Sequence, residues 1–191
     1  MRIVGGALRG RRFAARVPAG TRPTSDRARE AIASALESRG LIGGHVYDLF
    51  AGTGALAFEA LSRGAGSADL FDEAAAACAL MRTAAEELGL RERATVHRVD
   101  LAAPKPSWIG RLAPADLVFL DPPYARIDAG VRVLSALETA GKLRPGAAIV
   151  FEHGADTELV LPAPFDEKAR YRYGDTRVLL AQIPHTTTET E

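Results

Sequence analysis

Residues 45 to 57 read HVYDLFAGTGALA. A short apolar run ends at a loop with glycines at 52 and 54, and a second apolar run then starts at helical spacing. This is the pattern of a buried strand, a tight turn and the start of a helix. Gly52 and Gly54 let the backbone approach a ligand and take turn conformations that other residues resist. The helix start behind them supplies N–H groups with no partner inside the helix. The stretch therefore predicts an α/β fold with a ligand held at the end of its first core strand.

The flanking sequence repeats the alternation. A helix begins near TSDR, where Thr24 or Ser25 can cap it and Asp26 suits the positive end of its dipole. Ala28, Ala31, Ile32, Ala35 and Leu36 form its apolar face. Strands are predicted at 68–72, 94–99, 115–120 and 147–152. Between them Ala77, Leu80, Met81, Ala84, Ala85 and Leu88 mark one helix, and Ile127, Val131, Leu134 and Leu137 another. Segments 168–173 and 176–183 flank Gly174 and Asp175 as a hairpin. Strands alternating with helices mean a doubly wound, mostly parallel sheet, here closed by an antiparallel C-terminal hairpin. Residues 1–23 read as two short strands around a Gly-rich turn, residues 24–184 as one catalytic domain, and 185–191 as a disordered tail without apolar residues.

Composition sets further bounds. With 191 residues, 47% of them hydrophobic, the chain can bury a core of its own. Its one cysteine, Cys78, forms no internal disulfide, and its four histidines are scattered without metal-ligand spacing. No apolar stretch approaches the roughly 20 residues of a membrane span, and the N-terminus has no signal-peptide core. A cytoplasmic protein is expected. The net charge is zero but unevenly spread. The first thirty residues hold eight arginines against Asp26 and Glu30, a net of +6. A basic arm before an otherwise acidic domain suggests a polyanion, and so nucleic acid, as partner. The arm, with no long apolar run, is expected to bind RNA rather than to support the core.

Three acids stand at predicted strand ends. Asp72 lies twenty residues after Gly52, where a carboxylate commonly holds a ribose hydroxyl pair, and Asp100 ends the next strand. Taken singly, either could be an ordinary solvated acid; aligned with the glycine loop they describe a nucleoside site. GTGALA also satisfies the G-x-G-x-x-A form of a dinucleotide fingerprint, so a nicotinamide or flavin enzyme is a rival. Asp48, just before the loop, points elsewhere, because a carboxylate there can face a cationic amino group such as that of S-adenosylmethionine. The third acid opens DPPY, Asp121 to Tyr124. Pro122 and Pro123 lack N–H groups and fix their own φ, leaving a stiff segment rich in acceptors. Such a segment suits an amino group, and Tyr124 adds a face on which a base can stack. The chemistry indicated is methylation of an exocyclic nitrogen on a base flipped out of its helix or presented in a loop. Alignment supplies most of the rate, on the order of 7–11 kcal/mol in favourable cases.

RIVGGALRGRRF, RPTSDRARE, DLFAGTGALAFEALSRGA and DPPY, in this order and spacing, resemble the RsmD family of bacterial 16S ribosomal RNA guanine-N2 methyltransferases. The resemblance runs from residue 2 to about 183. It implies a class I methyltransferase fold with a seven-stranded sheet, S-adenosylmethionine as cofactor, and one loop guanine of 16S rRNA as target. It further implies a monomer acting on a 30S assembly intermediate with its ribosomal proteins. By motif it places Asp121, Pro122, Pro123 and Tyr124 on the target amino group. It places Thr24, Asp48, Phe50, Gly52, Thr53, Gly54, Asp72, Glu73, Asp100 and Leu101 around the cofactor, with Asp72 on the ribose and Asp100 on the adenine side. It sets RPTSDR, residues 22 to 27, at the RNA entrance, and with the charge of the arm the expected RNA contacts are Arg2, Arg9, Arg11, Arg12, Arg22 and Arg27. The chain departs from the family in the EAAAA run after Asp72 and in IASAL near the end of the first helix. DPPY by itself serves adenine N6 as well as guanine N2, so an adenine-N6 methyltransferase is an alternative, as is a non-catalytic RNA-binding assembly factor.

Overall fold

The computed structural model describes residues 1–13 and 26–185, with the side chain of Tyr124 excepted. Thr24, Ser25 and Arg22, assigned above to a helix cap, the cofactor and the RNA, lie outside the described residues, as does the predicted tail from residue 186 on. The described residues form five α-helices and seven strands, which alternate until the last three strands follow one another: α1 (Asp26–Glu37), β1 (His45–Leu49), α2 (Ala55–Ser62), β2 (Ser67–Asp72), α3 (Ala75–Leu88), β3 (Ala94–Arg98), α4 (Pro106–Ile109), β4 (Ala115–Leu120), α5 (Ile127–Thr139), β5 (Leu143–Gly154), β6 (Asp166–Tyr173) and β7 (Thr176–Gln182). They build one seven-stranded sheet in the order β3-β2-β1-β4-β5-β7-β6. Strands β1 to β5 run parallel, and β7 runs antiparallel between β5 and β6.

Each face of the sheet is covered, which is why its central strands are nearly continuous apolar runs. One core gathers α1, α2 and α3 through Ile32, Leu36, Phe58, Met81 and Leu88. The opposite core gathers α4 and α5 through Ile109, Val133, Leu134 and Leu137. All eight residues of α2 are buried, Glu59 included, so this helix is central rather than amphipathic. The order reverses at β1, whose neighbours are β2 on one side and β4 on the other. A crevice therefore opens at the carboxyl ends of β1 and β4. No helix among the described residues is long and apolar enough to cross a membrane.

The structure differs from the sequence reading at three places. Helix α4 was not foreseen; it is a single turn, started by Pro106 at its first position. Strand β5 begins at Leu143 rather than at the expected 147, and the chain passes through Pro145 and Gly146 with Gly146 at φ +81° and a shifted register against β4. The two N-terminal strands reduce to one antiparallel bridge, Arg2 with Arg12, around a 3-10 turn at Gly6–Leu8.

That arm is also part of the core, against expectation. Ile3 and Phe13 are buried, and the Phe13 ring meets Phe58 of α2 edge-on at 5.5 Å. The Val4 N–H donates to Glu59 and the Leu8 N–H to Ser62, both at 2.9 Å. Phe13→Ala is thus expected to cost about 3–5 kcal/mol, as for other buried phenylalanines. At roughly 2–4 °C per kcal/mol for a chain of this size, a thermal melt will show the destabilisation. An unchanged melting temperature would mean the arm is a dispensable appendage.

Candidate active site

The crevice is a cavity of about 630 Å³ at the carboxyl edge of the sheet. Its floor comes from the glycine loop and its flanks, residues 45–57. β1 delivers Asp48, and the chain then turns sharply: Phe50 has φ +61°, the one positive φ outside glycine among the described residues. Strain of that kind, about 1–3 kcal/mol, persists where packing over-determines it and clusters at ligand sites. Gly54 follows at φ +73°, and a Cβ there would stand 2.6 Å from Leu70 Cδ2 and 2.8 Å from Phe58 Cε2. Glycine is thus required at 54 both by conformation and by space. Phe50, Gly52 and Thr53 all line the cavity.

Asp72, at the end of β2, ties the loop together. Its Oδ2 accepts the Gly52 N–H at 2.9 Å and its Oδ1 accepts the Ala74 N–H at 2.8 Å. Each carboxylate oxygen has a second acceptor site, which a ribose hydroxyl can use. Asp48 is buried and accepts the Ala57 N–H of α2 at 3.1 Å. Burial holds its carboxyl well above the usual carboxylate range, and the charges of Asp121 and Asp72 push it the same way.

At the end of β4, the Asp121 N–H donates to Leu49 O at 3.3 Å, so the segment stays pinned to β1 as it leaves the sheet. Pro123 is extended at φ −50°, ψ 141°, and a 3-10 turn follows at Tyr124–Arg126. Pro122 is buried against α5, where a Cβ on Gly130 would lie 3.1 Å from Pro122 Cγ and 2.6 Å from Phe151 Cζ. The absence of a side chain at 130 lets the helix back the proline pair closely. Asp121, Pro122 and Pro123 line the cavity together with Asp72 and Gly52. The ring of Tyr124 lies outside the described side chains.

The remaining expected cofactor residues divide. Glu73 and the buried Leu101 line the cavity. Asp100 does not: it is exposed, takes the Ala102 N–H at 2.9 Å, and pairs with Arg126 at 3.4 Å. Arg126 also pairs with Glu73 at 2.5 Å, strapping the segment after DPPY to the ends of β2 and β3. These contacts raise the guanidinium pKa, first through the Glu73 bond.

Several lining residues were not singled out from sequence: Arg126, Glu152 at the end of β5, and Tyr173 to Thr176 at the β6–β7 turn. Glu152 carries the same signal as Asp121, an acid after an apolar strand, and was open to recognition on that ground. The hairpin turn has no local signal, since it reaches the site only because β7 inserts beside β5.

Of the basic set, Arg2, Arg9, Arg11, Arg12 and Arg27 are all exposed. Arg2 is ion-paired to Asp26 at 2.9 Å. Arg11 donates to the carbonyls of Glu87 and Leu88 and so caps the C-terminal end of α3. Arg11 thus has a partner within the fold while staying exposed.

Six carboxylate side chains line the cavity, from Asp48, Asp72, Glu73, Asp121, Glu152 and Asp175, against one guanidinium among the described residues. That anionic, acceptor-rich lining fits S-adenosylmethionine, whose sulfonium and ammonium outnumber its one carboxylate. It opposes the pyrophosphate of a dinucleotide.

Known proteins share this organisation. The chain is 32% identical over 165 residues to ribosomal RNA small subunit methyltransferase D of Escherichia coli K12, covering 83% of this chain and 77% of that one. The solved structure of the Escherichia coli protein yhhF superposes with a TM-score of 0.80 at 28% identity, over 96% of this chain and 98% of that one. An RNA methyltransferase from Salinibacter ruber, in complex with S-adenosyl-L-homocysteine, shares the fold at a TM-score of 0.62 and 16% identity, over 88% of this chain and 98% of that one. Residues 1–182 match one family model throughout, from the docked arm to β7, and the chain belongs to the family described as conserved hypothetical protein 95, to which the RsmD resemblance pointed.

Proposed function

We propose that this protein transfers a methyl group from S-adenosylmethionine to the exocyclic N2 of one guanine in small-subunit ribosomal RNA, acting as a monomer on an assembling 30S particle. The observation that carries the reading is the convergence of Asp72, the glycine loop and Asp121-Pro122-Pro123 on one acid-lined cavity. Similarity to a small-subunit rRNA methyltransferase supports the substrate class.

The bound cofactor supplies an electrophilic methyl on its sulfonium. Asp72 holds the ribose, while Leu101 covers the adenine side. Asp48 meets the ammonium, which stabilises the ionised form of a carboxyl that burial otherwise disfavours. On the other side of the methyl, the Asp121 carboxylate and the carbonyl groups before each proline accept the two amino hydrogens. That grip turns the nitrogen lone pair, otherwise delocalised into the ring, toward the sulfonium. Tyr124 stacks on the base. No strong base is needed, because the methylated ammonium is acidic and loses its proton readily.

The test is to incubate the protein and S-adenosylmethionine with 30S particles from a deletion strain and digest the rRNA for mass spectrometry. N2-methylguanosine is the expected product. N6-methyladenosine would favour the adenine alternative, and binding of NAD but not S-adenosylhomocysteine in calorimetry would overturn the cofactor assignment.

Arg9 and Arg12, both exposed, are the proposed phosphate partners in the arm, together with Arg2, Arg22 and Arg27. Deleting the arm would also remove Ile3 and Phe13 from the core, so point changes are the cleaner probe. The Arg9→Ala, Arg12→Ala double variant is expected to melt as wild type. Its log–log salt slope for RNA binding should be shallower by about 0.7–0.9 for each phosphate that is no longer neutralised. An unchanged slope would remove both residues from the interface.

A further inference from the structure

Two carboxylates stand side by side at the carboxyl edge of the sheet, and the reaction above uses only one. Strands β4 and β5 pair in parallel, with Leu120 opposite Phe151 as their last matched residues. Asp121 and Glu152 occupy the next position on each strand. In parallel strands residues at the same position point to the same face, with the chains about 4.8 Å apart. Both line the cavity. Glu152 is only 3% exposed, so its carboxylate stands at the depth of the cavity rather than at its rim.

The Watson–Crick edge of guanine presents two adjacent donors, the 2-amino group and N1–H. Adenine presents its 6-amino group beside an N1 lone pair. A proline-backed acceptor alone cannot tell these apart, because each base offers it an amino group. A second carboxylate beside the first can: it accepts the N1–H of guanine and repels the N1 lone pair of adenine. We infer that Glu152 is the specificity-determining residue, accepting N1–H of the flipped guanine beside the amino group held by Asp121. This rests on the methyltransferase reading above and adds to it the choice of base.

The test uses 2-aminopurine, which keeps the 2-amino group of guanine but has a lone pair at N1. Particles are reconstituted with guanine, 2-aminopurine or adenine at the position that wild type methylates. Wild type should methylate guanine at least about 10²-fold better, in kcat/KM, than 2-aminopurine, as expected where a buried polar group would be left unpaired. In Glu152→Gln the amide can accept from guanine N1–H or donate to the N1 of 2-aminopurine. The ratio should therefore fall to about tenfold or less. A variant damaged only in folding would lose activity on both bases and keep the ratio. Affinity for S-adenosylhomocysteine should stay within about twofold, since the hydrogen bond tested is to the base. An unchanged ratio overturns the inference, and so does a large loss of S-adenosylhomocysteine affinity, which would place Glu152 on the cofactor. If wild type methylates adenine in place of guanine, the proposed function itself fails and this inference with it.

Discussion

Asp121→Ala is expected to lower the rate of methyl transfer by about 10²–10³ while the protein still folds and binds S-adenosylhomocysteine, as when one preorganised polar group is removed from a reacting centre. The residue's backbone bond to Leu49 and the packing of Pro122 at Gly130 do not depend on its side chain, so the segment should keep its path. What disappears is an acceptor for one amino hydrogen, and with it the turn of the nitrogen lone pair. The carboxylate also raises the Asp48 pKa by its charge. Its removal should leave Asp48 no harder to ionise, and cofactor binding should not suffer on that account. Asp121→Asn should be milder, because its amide oxygen can still accept. Single-turnover kinetics at saturating cofactor will separate the chemical step from binding. Wild-type turnover in Asp121→Ala would sink the clamp.

The parts of this site that were legible in the sequence are those fixed by local chemistry. A glycine loop between a strand and a helix can be read over 45–57 because conformation and steric need coincide at Gly54. Asp72 and Asp121 can be read because a carboxylate closing an apolar run has few structural reasons to be there. Asp100 carries the same signal, yet it is exposed and pairs with Arg126 at the cavity's edge, since strand-end position alone does not say how deep an acid sits. The arm was misread for a different reason. Its charge is visible residue by residue, while Ile3 and Phe13 are too sparse to show periodicity, and only tertiary packing on α2 reveals them as core. Arg11 likewise looks like free charge until the end of α3 is placed beside it. The hairpin turn at Gly174 depends on the one antiparallel insertion in the sheet.

Asp72→Ala should weaken cofactor binding by roughly two orders of magnitude, for two separable reasons. The first is loss of charge-assisted bonds to the ribose, each about 1.5–3 kcal/mol. The second follows from the structure: the side chain also accepts N–H groups from Gly52 and Ala74, so alanine leaves both donors without their partner and loosens the loop. Asparagine is not a clean control, because its single oxygen can serve only one of those two donors while its NH₂ confronts the other. A double-mutant cycle separates the effects. Wild type and Asp72→Ala are each titrated calorimetrically with S-adenosylhomocysteine and with its 2′-deoxy analogue. Wild type should prefer the hydroxylated ligand by about tenfold or more, corresponding to about 1.4 kcal/mol at the lower bound. Asp72→Ala should bind both ligands weakly and almost equally, and the weakness that remains measures the loop together with the 3′-hydroxyl bond. If wild type binds the two ligands alike, Asp72 does not hold the 2′-hydroxyl, and its part in the site is to brace Gly52.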